Sequence, residues 1–188
     1  GIKRGDWKKG QATKRAVQTA KDAGALISFD PNFRPPLWNS LEEAKKHTLF
    51  GLEYCHILKI SDNEIQWLTG YEDYTEGARW ICEKYHTPLI LVSMGKEGSR
   101  AYYYGKMTEA APFLQEHTIE TTGAGDTFCG CVLHYILQKG IDGLNVSDLE
   151  EMLTFANSAA SLITTRKGAL RVMPSEMEIR KNIENRAK

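Results

Sequence analysis

The chain has 188 residues, equal numbers of basic and acidic side chains (24 each) and 41% hydrophobic residues. These values suit one globular domain with a substantial apolar core, and the zero formal net charge argues against binding to nucleic acid or to an anionic membrane surface. No apolar run reaches the ~20 residues needed to cross a bilayer. Four cysteines without a Cys-x-x-Cys pair predict buried free thiols in a reducing cytoplasm rather than disulfides or a zinc site.

Hydrophobic periodicity predicts alternating helices and short strands. Apolar runs predict buried strands at 25–29, 55–60 and 89–93, and a hairpin that pairs 100–104 with 107–111. Helices are predicted at 7–23, 75–85 and from residue 128 to near Gly140, with a last helix that frays from Arg180 onward. Four capping-box pairs predict further helix starts: Ser40 with Glu43, Ser61 with Glu64, Ser147 with Glu150 (for a helix to about Thr165), and Ser175 with Glu178.

This alternation predicts an α/β fold with a mainly parallel sheet and helices on both faces. In such sheets, ligands bind beyond the carboxyl ends of the strands. The loops at 30–38, 61–64, 93–99 and 121–126 are therefore expected to gather at one edge of the sheet and to form a site there.

Residues 121–128 read Thr-Thr-Gly-Ala-Gly-Asp-Thr-Phe and lead into an apolar helical run. A glycine-rich turn that opens a helix directs unpaired N–H groups and the positive end of the helix dipole at one point, which is typical of a phosphate site. A carboxylate there would repel the ligand, so Asp126 is either a general base or merely a cap of the helix. The chain has no P-loop motif, and Phe128 stands where a dinucleotide fingerprint needs glycine.

Three further segments accompany this turn: residues 28–38, residues 92–99, and residues 155–160 followed by Gly168-Ala169. In this order they resemble the motifs of ribokinase-like sugar kinases, the PfkB family. The first is similar to a loop of bacterial fructokinases and 2-keto-3-deoxygluconate kinases, the second to the family's nucleotide loop, and the third to its adenine-side helix and loop. The resemblance covers essentially the whole chain and implies a three-layer α/β/α ribokinase-like fold.

The resemblance also implies that part of such a kinase is absent. Family members run to about twice a typical ~150-residue domain and carry an N-terminal sugar-gripping segment and a β lid. Neither is recognisable in this sequence, which shows no signal peptide and begins with Gly1 rather than Met. Residues 1–188 are therefore expected to be a single C-terminal catalytic and nucleotide-binding portion of a sugar kinase domain, as a fragment or a truncated gene product.

For the turn itself the resemblance implies catalytic roles. Asp126 would take the proton from the sugar's hydroxymethyl group, and the backbone N–H groups of Ala124, Gly125 and Asp126 would form an anion hole for the transferring γ-phosphoryl group. Gly123 would permit the turn. Preorganised donors of this kind typically contribute ~3 kcal/mol each to transition-state stabilisation.

Three residues outside the turn have implied roles in binding substrate or metal. Arg34 and Asn32 would contact phosphate or substrate, although Arg34 could equally be a surface residue on a proline-stiffened loop. Glu64 would order water around Mg²⁺, with Ser61 replacing the family's usual Asn. Glu64 also completes a sound capping box, so a purely structural role is the alternative. The ion itself would bind mainly through phosphates and water.

The nucleotide would contact a further set of residues. Ser93, Gly95 and Gly98 would lie along ATP, and Asn157 and Gly168 would lie near its adenine and ribose. A plain polar helix face is the alternative for Asn157. Some family members bind K⁺ beside the anion hole, and the resemblance allows such a site here, where Glu120 replaces the usual Asp.

Together these features predict a cytoplasmic, ATP- and Mg²⁺-dependent sugar kinase, with fructose to fructose 6-phosphate as the first choice of reaction. The alternatives are a 2-keto-3-deoxygluconate kinase and a nucleotide-binding or regulatory remnant without turnover. The expected partners are a small-molecule sugar and ATP, without nucleic acid or membrane. A homodimer of the full-length protein is allowed by the resemblance.

Overall fold

The structure, a computed structural model, describes residues 7–186, with side chains from residue 12 onward. The chain forms two compact units. Unit 1 comprises the described residues up to Val92 together with Tyr102–Lys106, and unit 2 comprises Ser93–Ala101 together with the described residues from Met107 onward. The expectation that residues 1–188 form one portion of a kinase domain stays a prediction.

The described residues form a mixed five-stranded sheet. Strand β1 pairs in parallel with β2, with Ser28 opposite Ile57. The N–H of Met94 donates to the carbonyl of Gly98, and that of Tyr104 to Pro88, both at 2.9 Å, which makes β3 and β4 antiparallel. The predicted α/β class is confirmed. The strands, in both chain and sheet order, are β1 (Ser28–Phe29), β2 (Ile57–Ser61), β3 (Leu89–Ser93), β4 (Ser99–Tyr103) and β5 (Lys106–Ala110).

Helices occupy most of the remaining described chain. The last one continues to Arg186, so the fraying predicted from Arg180 onward is wrong within the described residues. The guanidinium of Arg180 pairs with Glu176 at 2.8 Å, one turn earlier in the same helix. The helices are α1 (Trp7–Asp22), α2 (Leu41–Leu52), α3 (Asp62–Thr69), α4 (Tyr74–Tyr85), α5 (Ala124–Lys139), α6 (Val146–Ile163) and α7 (Glu176–Arg186).

The first strand is shorter and more exposed than predicted. Ala25 still donates its N–H to Ala20 of helix α1, and the N–H of Ile27 donates to Nδ1 of His56. Leu26, which lies before β1, is 50% exposed, and β1 itself forms one edge of the sheet. The predicted strand at 25–29 is therefore wrong at its first three positions, and its predicted burial is wrong at the other two, since Ser28 is exposed and Phe29 is half-buried.

Capping residues explain where the helices begin. Ser61 and Glu64 form the predicted capping box of α3. Ser40 accepts from the N–H of Glu43, but the Glu43 carboxylate accepts from the side chain of Asn39, so the second bond of the predicted box is replaced. For α7, Ser175 and Glu178 bond as predicted.

Helix α6 begins two residues before its predicted start. Its capping box joins Asn145 with Asp148, and Ser147 lies inside the helix. The predicted pair of Ser147 with Glu150 is therefore wrong. The two pairs have the same spacing, and the box at Asn145 leaves Val146 as the first helical residue.

Apolar burial stabilises each unit separately. In unit 1, residues 57–60 of β2 and residues 89–92 of β3 are buried. In unit 2, helix α5 packs along α6, and Phe128 and Val132 of α5 are buried. Of the four free cysteines, Cys55 is buried, and burial raises the pKa of its thiol to about 11. The other three are half-buried, so the predicted burial is wrong for Cys82, Cys129 and Cys131. None of the described helices is long and apolar enough to cross a membrane.

Candidate active site

The glycine-rich turn presents open backbone donors at the start of α5. Gly123 is the N-cap residue with φ +80°, and no side chain caps the helix. The N–H of Ala124 donates to the carbonyl of Thr121 at 3.2 Å, whereas the N–H groups of Gly125 and Asp126 have no acceptor within the described chain. Two of the three predicted anion-hole donors are therefore open, and the third is engaged in the turn.

Contacts from the end of α6 and the following loop support the turn. A Cβ on Gly123 would lie 3.4 Å from side-chain carbons of Ala169 and Ile163, and the positive φ itself favours glycine. The carboxylate of Glu120 accepts from the N–H of Gly168 at 2.6 Å. The predicted residue Gly168 thus lies in a loop fastened to the segment just before the turn.

The Asp126 side chain is exposed and unpaired. It occupies the third position of α5, and its carboxylate has no hydrogen-bond or ion-pair partner among the described residues. The capping interpretation is wrong, because the N-cap is Gly123. Asp126 lines a cavity of about 220 Å³ together with Thr127 and His134. An unpaired carboxylate at this position is available for proton transfer.

A larger cavity of about 580 Å³ lies within unit 2 beside the same turn. Its volume falls in the range of small-molecule sites. Gly123, Asp126 and Gly168 are not among the lining residues. Six of the residues predicted for ATP or phosphate line this cavity: Ser93, Gly95, Gly98, Ala124, Gly125 and Asn157.

Two of these lining residues, Gly98 and Asn157, lie against the end of β5. Gly98 has φ +97°, and a Cβ there would lie only 2.3 Å from the carbonyl oxygen of Ala110. The side-chain amide of Asn157 donates to the carbonyls of Ala110 and Ala111, both at 3.1 Å. Asn157 is 8% exposed, so its interpretation as part of a plain polar helix face is wrong.

The sequence did not single out several lining residues. Lys96, in the loop after β3, places a positive charge at the cavity. The sequence predicted ATP contacts for Ser93, Gly95 and Gly98 of the same segment but not for Lys96. The segment at 112–118 contributes most of its residues to the lining, and Gln115 bonds Ser161 of α6 at 3.0 Å. This segment follows β5 without a recognisable motif, so no local signal would have found it.

In unit 1, side chains fix the loop at residues 30–34. One oxygen of Glu64 accepts from the N–H of Phe33 at 2.6 Å and the other from the N–H of Ser61 at 2.9 Å. The ring of Phe33 stacks on Trp67 with centroids 4.1 Å apart and an interplanar angle of 6°. Glu64 therefore joins the loop to the start of α3, which is the structural role considered above.

The same loop exposes the two residues predicted to contact substrate. Asn32 has φ +44° and donates its N–H to Asp30 at 3.0 Å. Arg34 donates from its guanidinium to the carbonyl of Phe33 at 3.1 Å, and both predicted side chains are exposed. Burial raises the pKa of Asp30, an effect that the ammonium group of Lys59, 3.2 Å away, opposes.

The sequence of this chain is similar to those of known carbohydrate kinases. Residues 9–176 match the pfkB family of carbohydrate kinases. Fructokinase-1 of Oryza sativa subsp. japonica is 36% identical over 171 residues, which are 91% of this chain and 53% of that protein. The chain spans about half the length of most of the curated relatives it matches.

Solved structures of this kind share the fold. A fructokinase double mutant of Vibrio cholerae O395 with fructose, ADP and potassium ion bound superposes with a TM-score of 0.81 and 26% identity, over 92% of this chain and 55% of that one. A fructokinase of Xylella fastidiosa with bound ATP gives a TM-score of 0.81 and 25% identity, over 95% and 57%. The predicted ribokinase-like fold is confirmed, and the chain belongs to the pfkB family of carbohydrate kinases.

Proposed function

We propose that this chain supplies the nucleotide-binding and phosphoryl-transferring part of an ATP-dependent sugar kinase that converts fructose to fructose 6-phosphate. The observation that carries the proposal is the turn at 123–126, which combines two open N–H donors with an unpaired carboxylate. Ala124 and Gly125 of this turn line the cavity of about 580 Å³, and Asp126 lines the smaller one of about 220 Å³. The similarity to a fructokinase with fructose and ADP bound supports the choice of substrates.

Each group of the turn has one task in the proposed reaction. The hydroxymethyl oxygen of the sugar attacks the γ-phosphorus of ATP, Asp126 takes the proton from that hydroxyl, and ADP leaves. The N–H groups of Gly125 and Asp126 stabilise the negative charge that develops on the phosphoryl oxygens, each by ~3 kcal/mol. The N–H of Ala124 can join them if its 3.2 Å bond to Thr121 opens.

The nucleotide occupies the larger cavity in this proposal. Ser93, Gly95 and Gly98 face its phosphates and ribose, and Asn157 lies toward adenine, where its amide already holds the end of β5. Lys96 adds positive charge for the phosphates. Gly168 acts indirectly, through its bond to Glu120.

In this proposal the metal ion is bound mainly by the phosphates of the nucleotide and by water, not by a cluster of acidic side chains. Among the described residues, no group of three His, Cys, Asp or Glu side chains is arranged to bind a metal. Mg²⁺ would supply charge neutralisation at the phosphates. Glu64 could hold a metal-bound water only through lone pairs left over by its two backbone bonds. A K⁺ site near Glu120 would have to share a carboxylate that already accepts from Gly168.

Arg34 and Asn32 are proposed to contact the sugar or its phosphorylated product. Because Arg34 is an exposed cation on the loop after β1, it would also suit the carboxylate of a keto-deoxy sugar acid, which keeps 2-keto-3-deoxygluconate as the second candidate. A cytoplasmic location and a homodimer of the full-length protein stay predictions.

The test measures ATP- and Mg²⁺-dependent phosphorylation of a panel of sugars and sugar acids by the gene product that carries this sequence. Fructose is expected to be the preferred acceptor. Asp126→Asn should lower kcat by ~10²- to 10⁴-fold, because the base is lost, while ATP still binds. Asp142→Asn is the matched control, since Asp142 is an exposed aspartate in the loop after α5.

Each alternative predicts a different result. Normal turnover by Asp126→Asn would refute the assignment of the base. Preference for 2-keto-3-deoxygluconate over fructose would select the second candidate. Binding of ATP without phosphorylation of any acceptor would show a nucleotide-binding remnant.

A further inference from the structure

A buried lysine in strand β2 has no task in the proposed transfer reaction. Lys59 stands in a run of buried apolar residues, and its side chain is 8% exposed. A buried ammonium group without a partner costs several kcal/mol, whereas an apolar residue in this strand would cost nothing comparable. The ion-pair partner of Lys59 within the described residues is Asp30, at 3.2 Å. The ammonium group of Lys59 therefore balances the charge of the Asp30 carboxylate.

The Asp30 carboxylate connects Lys59 to an unusual backbone conformation. One oxygen pairs with Lys59, and the other accepts from the N–H of Asn32 at 3.0 Å. Asn32 has φ +44°, in the left-handed region that non-glycine residues rarely adopt. The ion pair therefore holds the acceptor that keeps this turn in place.

Helix α3 fixes the next residue of the same loop. Phe33 donates its N–H to Glu64 at 2.6 Å and stacks its ring on Trp67. The loop at 30–34 is thus attached to β2 by one ionic contact and to α3 by a hydrogen bond and a stacked ring. Its two polar side chains, Asn32 and Arg34, are exposed and accessible to a ligand.

We propose that Lys59 is a positioning residue that, through Asp30, fixes the loop at 30–34 for binding of the sugar or its phosphorylated product. This inference rests on the proposed function, in which Asn32 and Arg34 contact that ligand. Lys59 touches no substrate. An apolar residue of similar length would fill the same space in β2 but would leave the Asp30 carboxylate without its counter-charge.

The balance of charges around Asp30 makes the positioning dependent on pH. Burial raises the pKa of Asp30 above its ordinary value, the ammonium of Lys59 in β2 lowers it, and the carboxylate of Glu64 in α3 adds to the rise. The ion pair requires the ionised form of Asp30. The loop is therefore held above this pKa and loosens as pH falls through it. Without Lys59, only the hydrogen bond from the Asn32 N–H still opposes burial and Glu64, so the pKa rises and loosening begins at a higher pH.

Trp67 provides a direct readout because its ring stacks on Phe33. Its emission, assigned with Trp67→Phe, is followed during acid titration of the full chain. For Lys59→Met we expect the midpoint to move to higher pH, and for Lys59→Arg to stay close to that of the unsubstituted protein. Lys139→Met is the matched control, since Lys139 forms an exposed ion pair in unit 2 and should leave the midpoint unchanged.

Kinetics separates positioning from general stabilisation. Lys59→Met should raise the KM for the sugar by ~10-fold, about 1.4 kcal/mol, while the affinity for ATP stays unchanged, because the nucleotide cavity is built from unit 2 alone. Superimposable titrations of Lys59→Met and the unsubstituted protein would overturn the proposal, as would an equal loss of affinity for ATP.

A second variant covers the case in which Lys59→Met does not fold. Asp30→Asn removes the titrating group, so it should abolish the acid transition of Trp67 and raise the KM for the sugar. A retained transition would overturn the proposal. The fluorescence titration needs no turnover, so it tests Lys59 even if the proposed kinase activity is absent, and the two failures are distinguishable.

Discussion

The two candidate regions are built in different ways. In unit 2, the groups that would face a phosphate are backbone N–H groups at the start of α5, and glycines allow the chain to turn there. In unit 1, the loop at 30–34 is held by side chains that lie far away in the sequence, namely Lys59, Glu64 and Trp67. A site made of backbone depends on local conformation, whereas a loop held by side chains depends on long-range contacts and on charge. Substitutions in the two regions should therefore fail differently.

The largest loss of stability is expected where a glycine in unit 2 lies against another segment. In Gly98→Ala the new Cβ would lie 2.3 Å from the carbonyl oxygen of Ala110, at φ +97°. Overpacking and backbone strain together should lower the free energy of unfolding by ~3 kcal/mol or more. Urea denaturation measures this change.

Gly105→Ala is the control for backbone strain alone. Gly105 has φ +79° with no atom within 4 Å of the added Cβ, so the loss should be only ~1 kcal/mol. Equal losses for Gly98→Ala and Gly105→Ala would mean that the close approach at Gly98 has no energetic weight.

The loop in unit 1 should be most sensitive to Glu64. Glu64→Ala leaves the N–H groups of Phe33 and Ser61 without their acceptor, which should cost ~2 kcal/mol in urea denaturation, and Glu64→Gln should cost less because one acceptor oxygen remains. Glu150→Ala, at an exposed position of α6, should change stability by less than ~0.5 kcal/mol. A Glu64→Ala variant as stable as Glu150→Ala would contradict the structural role of Glu64.

A smaller loss of stability but a large loss of activity is expected at Gly123. Gly123→Ala meets only ordinary contacts at 3.4 Å, so the positive φ should cost ~1 kcal/mol. Displacement of the turn should nevertheless lower kcat by ~10²-fold. Gly140→Ala, at φ +86° just past the other end of α5, should lose similar stability without this kinetic effect. Equal kcat values for the two variants would contradict a catalytic turn.

The smallest effect concerns an exposed carboxylate at the start of α7. Bonds from the N–H and hydroxyl of Ser175, and then from Arg166, lower the pKa of Glu178 to about 2. Because this value is below the ordinary pKa of 4.5, the stabilisation is fully present above pH 4.5 and is lost as pH falls toward 2. Glu178→Gln should flatten the acid limb of the stability curve over that window, whereas Glu184→Gln should not. An unchanged acid limb would contradict the bonds to Ser175.

Local sequence patterns predicted most of what local interactions determine. The capping box at Ser61 and Glu64 and the turn that opens α5 were both evident from residues close together in the chain. The start of α6 shows the limit of such patterns. Asn145 with Asp148 and Ser147 with Glu150 have the same spacing, so the spacing alone does not decide between them, and the helix begins at the first pair.

Long-range contacts escaped prediction for a physical reason. Neither the ion pair of Lys59 with Asp30 nor the bonds from Asn157 to the end of β5 leave a local signal, because each depends on how distant segments pack. The exposure of β1 has the same origin, since only the sheet order shows that this strand lies at an edge. The catalytic roles predicted for the turn stay predictions until activity is measured.

The most direct test is calorimetric titration of this chain with a non-hydrolysable ATP analogue and Mg²⁺. If the turn at 123–126 and the adjoining cavity hold the nucleotide, the analogue should bind with measurable heat at millimolar concentration or below. Asp126→Asn should bind at least as tightly, because it removes a negative charge beside the phosphate. Absence of heat at millimolar analogue with the folded chain would contradict the assignment of this cavity to the nucleotide.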